Sequence, residues 1–373
     1  MSQASGWRVI GATVRGASHE RAGLPNQDAI LWWPEQRQGP PLILVISDGH
    51  GSEKSFRSEI GSRIAVECTL TLLRGLLLIQ PAARHLSTVK RALEERLPPE
   101  IVKEWRAAVD RHLAETPFSE AELARLEAKR GPTGLQEVSS NPRLAYGATV
   151  LGALVAADYI AYLQLGDGDI LTVTKDGSVV RPFAHDPRLM ANETTSLCME
   201  HAAHEVRTRF EAVVDCGPSL ILLSTDGYAN SFINEEAFLK VGSDLLEMLR
   251  DEGAESISEA LPGWLAQASV AGSGDDISVG ILFRDEVTSS AQGTPGAAES
   301  DGTDQAPCTE GTAAPSALPA DAAPDDATLR SRFVARIKQR GPTEPSKRGS
   351  PDDLGPLADD EPGDGRPDSS AKV

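Results

Sequence analysis

Five aspartates stand where apolar runs meet glycine or turn. Asp48 follows the run Leu42–Ser47 and opens Asp48-Gly49-His50-Gly51, and Asp167 follows Tyr159–Leu165 within Gly166-Asp167-Gly168-Asp169. Asp226 follows residues 219–225 and precedes Gly227, and Asp275 sits between Gly274 and Asp276, just before the apolar residues 277–283. Asp28 marks the other kind of boundary, where a polar stretch enters Ala29–Trp33. Each alone is an ordinary turn residue. Together they suggest carboxylates converging on one end of a β core. Oxygen ligands without Cys or a paired His spacing favour Mg²⁺ or Mn²⁺ over zinc. Two such ions would lower the pKa of a bridging water and hold a phosphoryl group for in-line attack.

The elements that must carry these residues follow from the hydrophobic pattern. Leu42-Ile43-Leu44-Val45-Ile46 is too short for a typical helix and reads as a buried strand ending in a carboxylate and an imidazole. Residues 219–225 read as a second fully buried strand. Further strands are expected at Trp7–Val14, 29–33, 146–155, 159–165, 170–174, 206–213 and 277–283. Lys175-Asp176-Gly177 supplies a hairpin turn. Residues 16–27 read as a polar loop, and Ser52 as the cap of a helix continuing through Ile60, Ile64 and Leu72. Residues 88–130 are helix-favouring, with Ile101, Trp105, Val109 and Leu113 on one buried face and Pro98-Pro99 separating two helices. Residues 131–142 read as loop, and 182–205 as irregular. Two last helices are expected near residues 235–251 and 256–268.

The chain has 373 residues, 40% of them hydrophobic, and a formal net charge of −19. That charge argues against nucleic acid or an anionic membrane as partner, since both need a basic surface. Cys68, Cys198, Cys216 and Cys308 show no Cys-x-x-Cys spacing and read as reduced thiols, as in a cytoplasmic protein. No basic-then-apolar signal pattern opens the sequence, and no apolar run is long enough to span a membrane. Residues 284–373 carry 10 Lys+Arg against 17 Asp+Glu and almost no large apolar side chains. They are expected to form an acidic, Pro/Gly/Ala-rich disordered tail. One basic amphipathic island there, Leu329 to Lys338, is a possible docking helix for a partner.

The ordered set Asn26-Gln27-Asp28, Ser47-Asp48-Gly49-His50-Gly51, Tyr146-Gly147-Ala148-Thr149, Leu165-Gly166-Asp167, Ser224-Thr225-Asp226-Gly227 and Gly274-Asp275-Asp276-Ile277-Ser278 resembles the metal-dependent type 2C Ser/Thr protein phosphatases, most closely their bacterial branch. The resemblance implies a catalytic domain over residues 1–283, an α+β fold built as a four-layer α-β-β-α sandwich of two antiparallel sheets flanked by helices. It implies hydrolysis of phosphoserine and phosphothreonine by a metal-bridging hydroxide, with two or three Mg²⁺ or Mn²⁺ ions. By the same resemblance Asp48 would bridge two metals and the Gly49 carbonyl would ligate one. Asp226 and Asp275 would hold the second, Asp28 would act through a metal-bound water, and Asp167 would serve a third, weaker site. His50 would be the general acid for the departing Ser or Thr oxygen. Residues 181–215 would form a flap whose His185, His201 and His204 serve structure.

Three departures accompany the match. Gln27 stands where many relatives carry a glutamate ligand, Gly168-Asp169 replaces a Ser-Arg pair, and Gly23 aligns with a phosphate-binding arginine for which Arg21 or Arg15 would have to substitute. Gln27 and the missing arginine keep a second reading open, a weak or inactive phosphatase-like regulatory module that binds a partner without turnover. A small phosphate ester is a third option for the substrate. The resemblance further implies a phosphoprotein substrate and a link to a Ser/Thr kinase.

Overall fold

The protein's computed structural model describes residues 6–79, 86–184, 194–213 and 217–288. The apolar runs become eleven strands among these residues: β1 (Trp7–Val14), β2 (Ala29–Trp33), β3 (Gln38–Gly39), β4 (Leu42–Ser47), β5 (Val150–Val155), β6 (Tyr159–Leu165), β7 (Asp169–Val173), β8 (Val179–Val180), β9 (Arg207–Ala212), β10 (Leu220–Ser224) and β11 (Ile277–Arg284). They form two sheets, in the orders β3-β1-β11-β10-β7-β8 and β2-β4-β5-β6-β9. Every pairing is antiparallel. The helices are α1 (Ala17–Ala22), α2 (Ser58–Leu77), α3 (Leu86–Arg91), α4 (Leu97–Glu115), α5 (Glu120–Ser140), α6 (Ala202–Glu205), α7 (Asp226–Ala229), α8 (Glu235–Asp251), α9 (Gly253–Ala271) and α10 (Asp285–Thr288).

The strand period of two explains why both buried runs look uniformly apolar. Along β4, Leu42, Leu44 and Ile46 enter the core between the sheets, while Ile43 and Val45 face the helical layer of α2 and α4. Along β10, Ile221 and Leu223 point between the sheets, and Leu220 and Leu222 pack on α8 and α9. A strand covered on both faces has no polar side to show. The result is the expected α-β-β-α sandwich. Trp105 is fully buried, as its helical spacing predicts, and its indole donates a hydrogen bond to the Gly61 carbonyl of α2 at 3.0 Å. A Cβ at Gly61 would stand 1.8 Å from the Tyr146 carbonyl oxygen, so only glycine lets α2 approach the segment leading to β5.

Four local expectations are corrected. Residues 16–27 are not all loop, because 17–22 form α1, closed by Gly23 at φ 67°. Ser52 does not cap α2, which starts only at Ser58 after two turns closed by Ser55 N–H to Ser52 O and Ser58 N–H to Ser55 O. Residues 131–140 are helical rather than loop: Gly131, at φ 68°, breaks α5, and Pro132 then restarts it, where a missing N–H costs nothing. Strand β5 begins at Val150, the preceding 142–146 being a 3₁₀ turn. Pro98-Pro99 does mark a helix start, in the first turn of α4. Residues 284–288 continue from β11 into α10. Residues 289–373, with the island from Leu329 to Lys338, and also His185, Cys216 and Cys308, lie outside the described residues. No described helix is long and apolar enough to cross a membrane.

Candidate metal centre

Parity along β4 carries Leu42, Leu44 and Ile46 into the inter-sheet layer, and two residues further on Asp48 reaches the end of that layer. Strand β2 pairs with β4 through Ala29 and Ser47, which brings Asp28 beside Asp48. The other sheet delivers Asp226 at the end of β10 and Asp275 before β11. The four carboxylates sense one another. Burial among protein atoms, then the charges of Asp226 and Asp28, a hydrogen bond with Asp226 and the charge of Asp275 push the Asp48 acid well above the usual carboxylate range. Asp48 itself keeps partial solvent contact. Burial and the charges of Asp276 and Asp275 likewise raise Asp28, opposed by hydrogen bonds from Thr225 and Ser278.

Polar neighbours hold each acid in place. Thr149 ties the Asp48 backbone both ways, its hydroxyl accepting from Asp48 N–H at 3.0 Å and its N–H donating to Asp48 O at 2.9 Å. Ser47 Oγ donates to Thr149 O at 2.5 Å. Thr225 Oγ1 donates to Asp28 Oδ2 at 2.8 Å and accepts from Ser278 N–H at 2.9 Å, joining the two sheets at the acid. Asn26 Oδ1 accepts from Asp28 N–H at 3.0 Å, and Asn230 donates to Asp226 Oδ2 at 2.9 Å. A Cβ at Gly49 would stand 2.5 Å from Gln27 O and 2.8 Å from Ser58 O, so the loop threads between these carbonyls only as glycine.

These donors suit a hard divalent cation. Asp28 Oδ1 and Gln27 Oε1 are buried without a hydrogen-bond partner, and the charges of neighbouring acids raise both Asp28 and Asp48, which a bound cation would relieve. No group of three His, Cys, Asp or Glu side chains closes around a single point among the described residues. The donors gathered here are all oxygens. They suit ions that retain several waters, as Mg²⁺ and Mn²⁺ do, rather than a closed zinc cage.

The remaining expected site residues divide. His50 stands on the same loop, its N–H donating to Gly147 O at 3.0 Å, with its ring packed so closely on Gly147 that a Cβ there would meet Cδ2 at 2.6 Å. Asp167 accepts from Thr194 Oγ1 at 2.5 Å. Asp169, in the unusual Gly168-Asp169 step, is engaged by Arg181 Nε at 2.6 Å. The described end of the flap is pinned to the site loop through Leu197 N–H to Ala148 O and Ala148 N–H to Ser196 Oγ. His201 and His204 pack against each other, 6.2 Å between ring centroids. Arg15 pairs with Glu20, and Arg21 donates to Ser18, both at the surface.

Two residues here escape the sequence reading. Asp276 is buried, accepting from Gly16 N–H and Gln27 N–H at 2.6 Å each and pairing with His19 Nδ1 at 2.8 Å. The sequence signal for Asp276 was its place directly before the β11 run. The signal for His19 was a short helix-compatible segment closed by Gly23.

The sequence model of the family described as Protein phosphatase 2C matches residues 15–266. No curated protein matches the chain in sequence. Among solved structures the chain is similar to PppA, a key regulatory component of T6SS in Pseudomonas aeruginosa, at 16% identity, covering 74% of this chain and 97% of that one with a TM-score of 0.45. It is similar to serine/threonine phosphatase Stp1 from Staphylococcus aureus at 14% identity, 74% and 94% coverage and a TM-score of 0.46. The catalytic domain of PstP in complex with 2 manganese ions matches at 17% identity, 75% and 98% coverage and a TM-score of 0.42.

Proposed function

The chain belongs to the protein phosphatase 2C family of phosphoprotein phosphatases, and from that premise we propose that it hydrolyses phosphoserine and phosphothreonine esters in a divalent-cation-dependent reaction. The convergence of Asp28, Asp48, Asp226 and Asp275 carries this reading. Asp48, Asp226 and Asp275, with the Gly49 carbonyl, would hold two Mg²⁺ or Mn²⁺ ions, and Asp28 would act through water. Asp167, tied to Thr194, serves a separate and weaker site. Bound there, the ions supply a water of lowered pKa and a grip on the phosphoryl oxygens. His50, fixed through its backbone to Gly147, gives its proton to the departing Ser or Thr oxygen. Gln27 leaves this part of the site one charge poorer than a glutamate would. The four acids argue against an inactive regulatory module, which has no use for such crowding. Residues 1–283 form the catalytic unit of a cytoplasmic enzyme that opposes a Ser/Thr kinase.

The test is phosphate release from a phosphothreonine peptide. Release is expected with Mn²⁺, lost in EDTA and restored by added Mn²⁺, whereas release that persists in EDTA would refute the metal dependence. His50→Gln is expected to slow the peptide reaction by about 10²–10⁴-fold, the usual worth of general acid catalysis. Its effect on p-nitrophenyl phosphate should be far smaller, because p-nitrophenolate departs without protonation. Equal losses on both substrates would remove His50 from the acid's role.

A further inference from the structure

We propose that a cleft between β1, the turn leading into β3 and the start of α9 docks an acidic stretch of this chain's own C-terminal region, residues 351–365. The cleft encloses about 210 Å³. Arg8 enters it from β1, where it pairs with Gln38 of β3 on one side and Phe283 of β11 on the other. Arg37 enters it from the turn, which is closed by Arg37 N–H to Pro34 O and Val9 N–H to Arg37 O, both at 3.0 Å. At φ 60°, Arg37 is the only described residue other than glycine at positive φ. A long cation thus occupies a backbone position that glycine would hold at lower cost.

Both guanidiniums rest on aromatic rings, Arg8 at 5.9 Å from the Phe283 centroid and Arg37 at 4.3 Å from that of Trp32. Neither forms an ion pair among the described residues. Stacking fixes a guanidinium yet leaves its in-plane donors open to carboxylates. Gln36, Gln38 and Ser258 add neutral polar groups to the walls, and Glu255 is the single acid there against two arginines. The first turn of α9 borders the same space without a side-chain cap, and its N–H groups favour negative charge. The cleft sits at the Trp7 end of the β1–β11 ladder, whereas Asp275 lies just past the other end. The docking therefore needs no metal and is independent of the reaction proposed above.

Charge and connectivity select the occupant. Residues 351–365 carry Asp352, Asp353, Asp359, Asp360, Glu361 and Asp364 and no Lys or Arg. The described part of the chain ends at the same corner as the cleft. Asp285 N–H donates to Gly6 O, and Thr288 closes α10 five residues after Phe283, the strand partner of Arg8. The 62 residues from 289 to 350 can span up to about 3.3 Å each, enough to bring the acidic stretch back to that corner. Exposed ion pairs are weak one at a time. A free acidic peptide would gain little here, whereas a tethered one is present at raised local concentration.

Phenylglyoxal, which modifies accessible guanidiniums, tests this on the full-length protein, with the rates at Arg8 and Arg37 read by peptide mass spectrometry. One variant carries Asp352→Asn, Asp353→Asn, Asp359→Asn, Asp360→Asn, Glu361→Gln and Asp364→Asn. In it both arginines should react about threefold faster or more at low salt, as release from exposed ion pairs allows. In about 0.5 M NaCl, where such pairs are screened, the two proteins should react alike. A control chain with Glu299→Gln, Asp301→Asn, Asp304→Asn and Glu310→Gln should react as the wild type does. In the reciprocal arm, Arg8→Gln with Arg37→Gln should let endoproteinase Asp-N cut before Asp352 and Asp359 about threefold faster, with melting curves to show that the fold is kept. Equal arginine rates in the wild type and the six-acid variant, or unchanged cutting in the folded arginine variant, would overturn the docking. Acceleration in the control chain would overturn its assignment to residues 351–365.

Discussion

Asp48→Asn is expected to lower kcat/KM on a phosphothreonine peptide by about 10³-fold or more. If Asp48 holds the ions as proposed, its loss would remove the metal-borne stabilisation of transition-state charge, worth several kcal/mol, and about 4 kcal/mol corresponds to 10³ in rate. The substitution keeps the side chain's shape and leaves the backbone ties to Thr149 intact. The fold should therefore survive. A second signature separates this loss from unfolding. Asp226, Asp28 and Asp275 all push the Asp48 acid upward, so neutralising it relieves repulsion in the cation-free protein. In EDTA the variant should melt no lower than the wild type, while the rise in melting temperature that Mn²⁺ gives the wild type disappears. An active variant, or one that melts well below the wild type in EDTA, would contradict the assignment.

The largest expected effect on stability comes from Arg57. Its guanidinium donates to Glu122 through Nε at 2.7 Å and Nη2 at 2.9 Å, to Thr116 O at 2.6 Å, to Tyr146 OH at 2.8 Å and to Pro117 O at 3.0 Å. Phe118 lies across the same group, 4.8 Å from Arg57 Cζ to the ring centroid. Arg57 N–H also donates to Ala145 O, so one residue clasps the entry to α2, the α4–α5 connection and the segment ending at Gly147, on which His50 rests. Removing one partner of a buried pair costs about 3–5 kcal/mol. The Arg57 side chain is 6% exposed and that of Glu122 23%, which favours the lower figure. Arg57→Ala should then lower the melting temperature by roughly 6–12 °C.

The same pair sets a pH dependence. Hydrogen bonds from Arg57 hold the Glu122 carboxyl down at about 2, against 4.5 ordinarily. A depressed acid stabilises the fold above its unfolded value, and that contribution fades as the pH falls from about 4.5 towards 2. Wild type should lose stability through this window, and Arg57→Ala should lose less. Parallel stability curves for the two proteins would show that the pair contributes little.

The strands were legible as apolar runs bounded by glycine and turn residues, and β4 and β10 are covered on both faces as their unbroken runs imply, whereas their stacking as a sandwich was implied by the family resemblance. The gathering of Asp28, Asp48, Asp226 and Asp275 was legible for a related reason, since each acid ends or begins a run that the sheets must align. Asp167 obeys the same grammar, and its hydrogen bond from Thr194 is a tertiary contact that the strand-end pattern does not announce. His19 and Asp276 were hidden because their contact spans 257 positions, and no local period announces such a pairing. The α1 segment was masked by its brevity: six residues give no amphipathic stripe, and only Gly23 marks the end. Residues 52–57 misled through Ser52, a good cap by type, because tertiary bonding of Arg57 fixes where α2 starts.

The most direct measurement is a crystal structure of the protein grown with Mn²⁺, with anomalous scattering used to locate the ions. The account predicts two strong manganese peaks bounded by Asp48 and shared among Asp226, Asp275 and the Gly49 carbonyl, with Asp28 close by through water. Catalytically active protein with no manganese among these four carboxylates would contradict it.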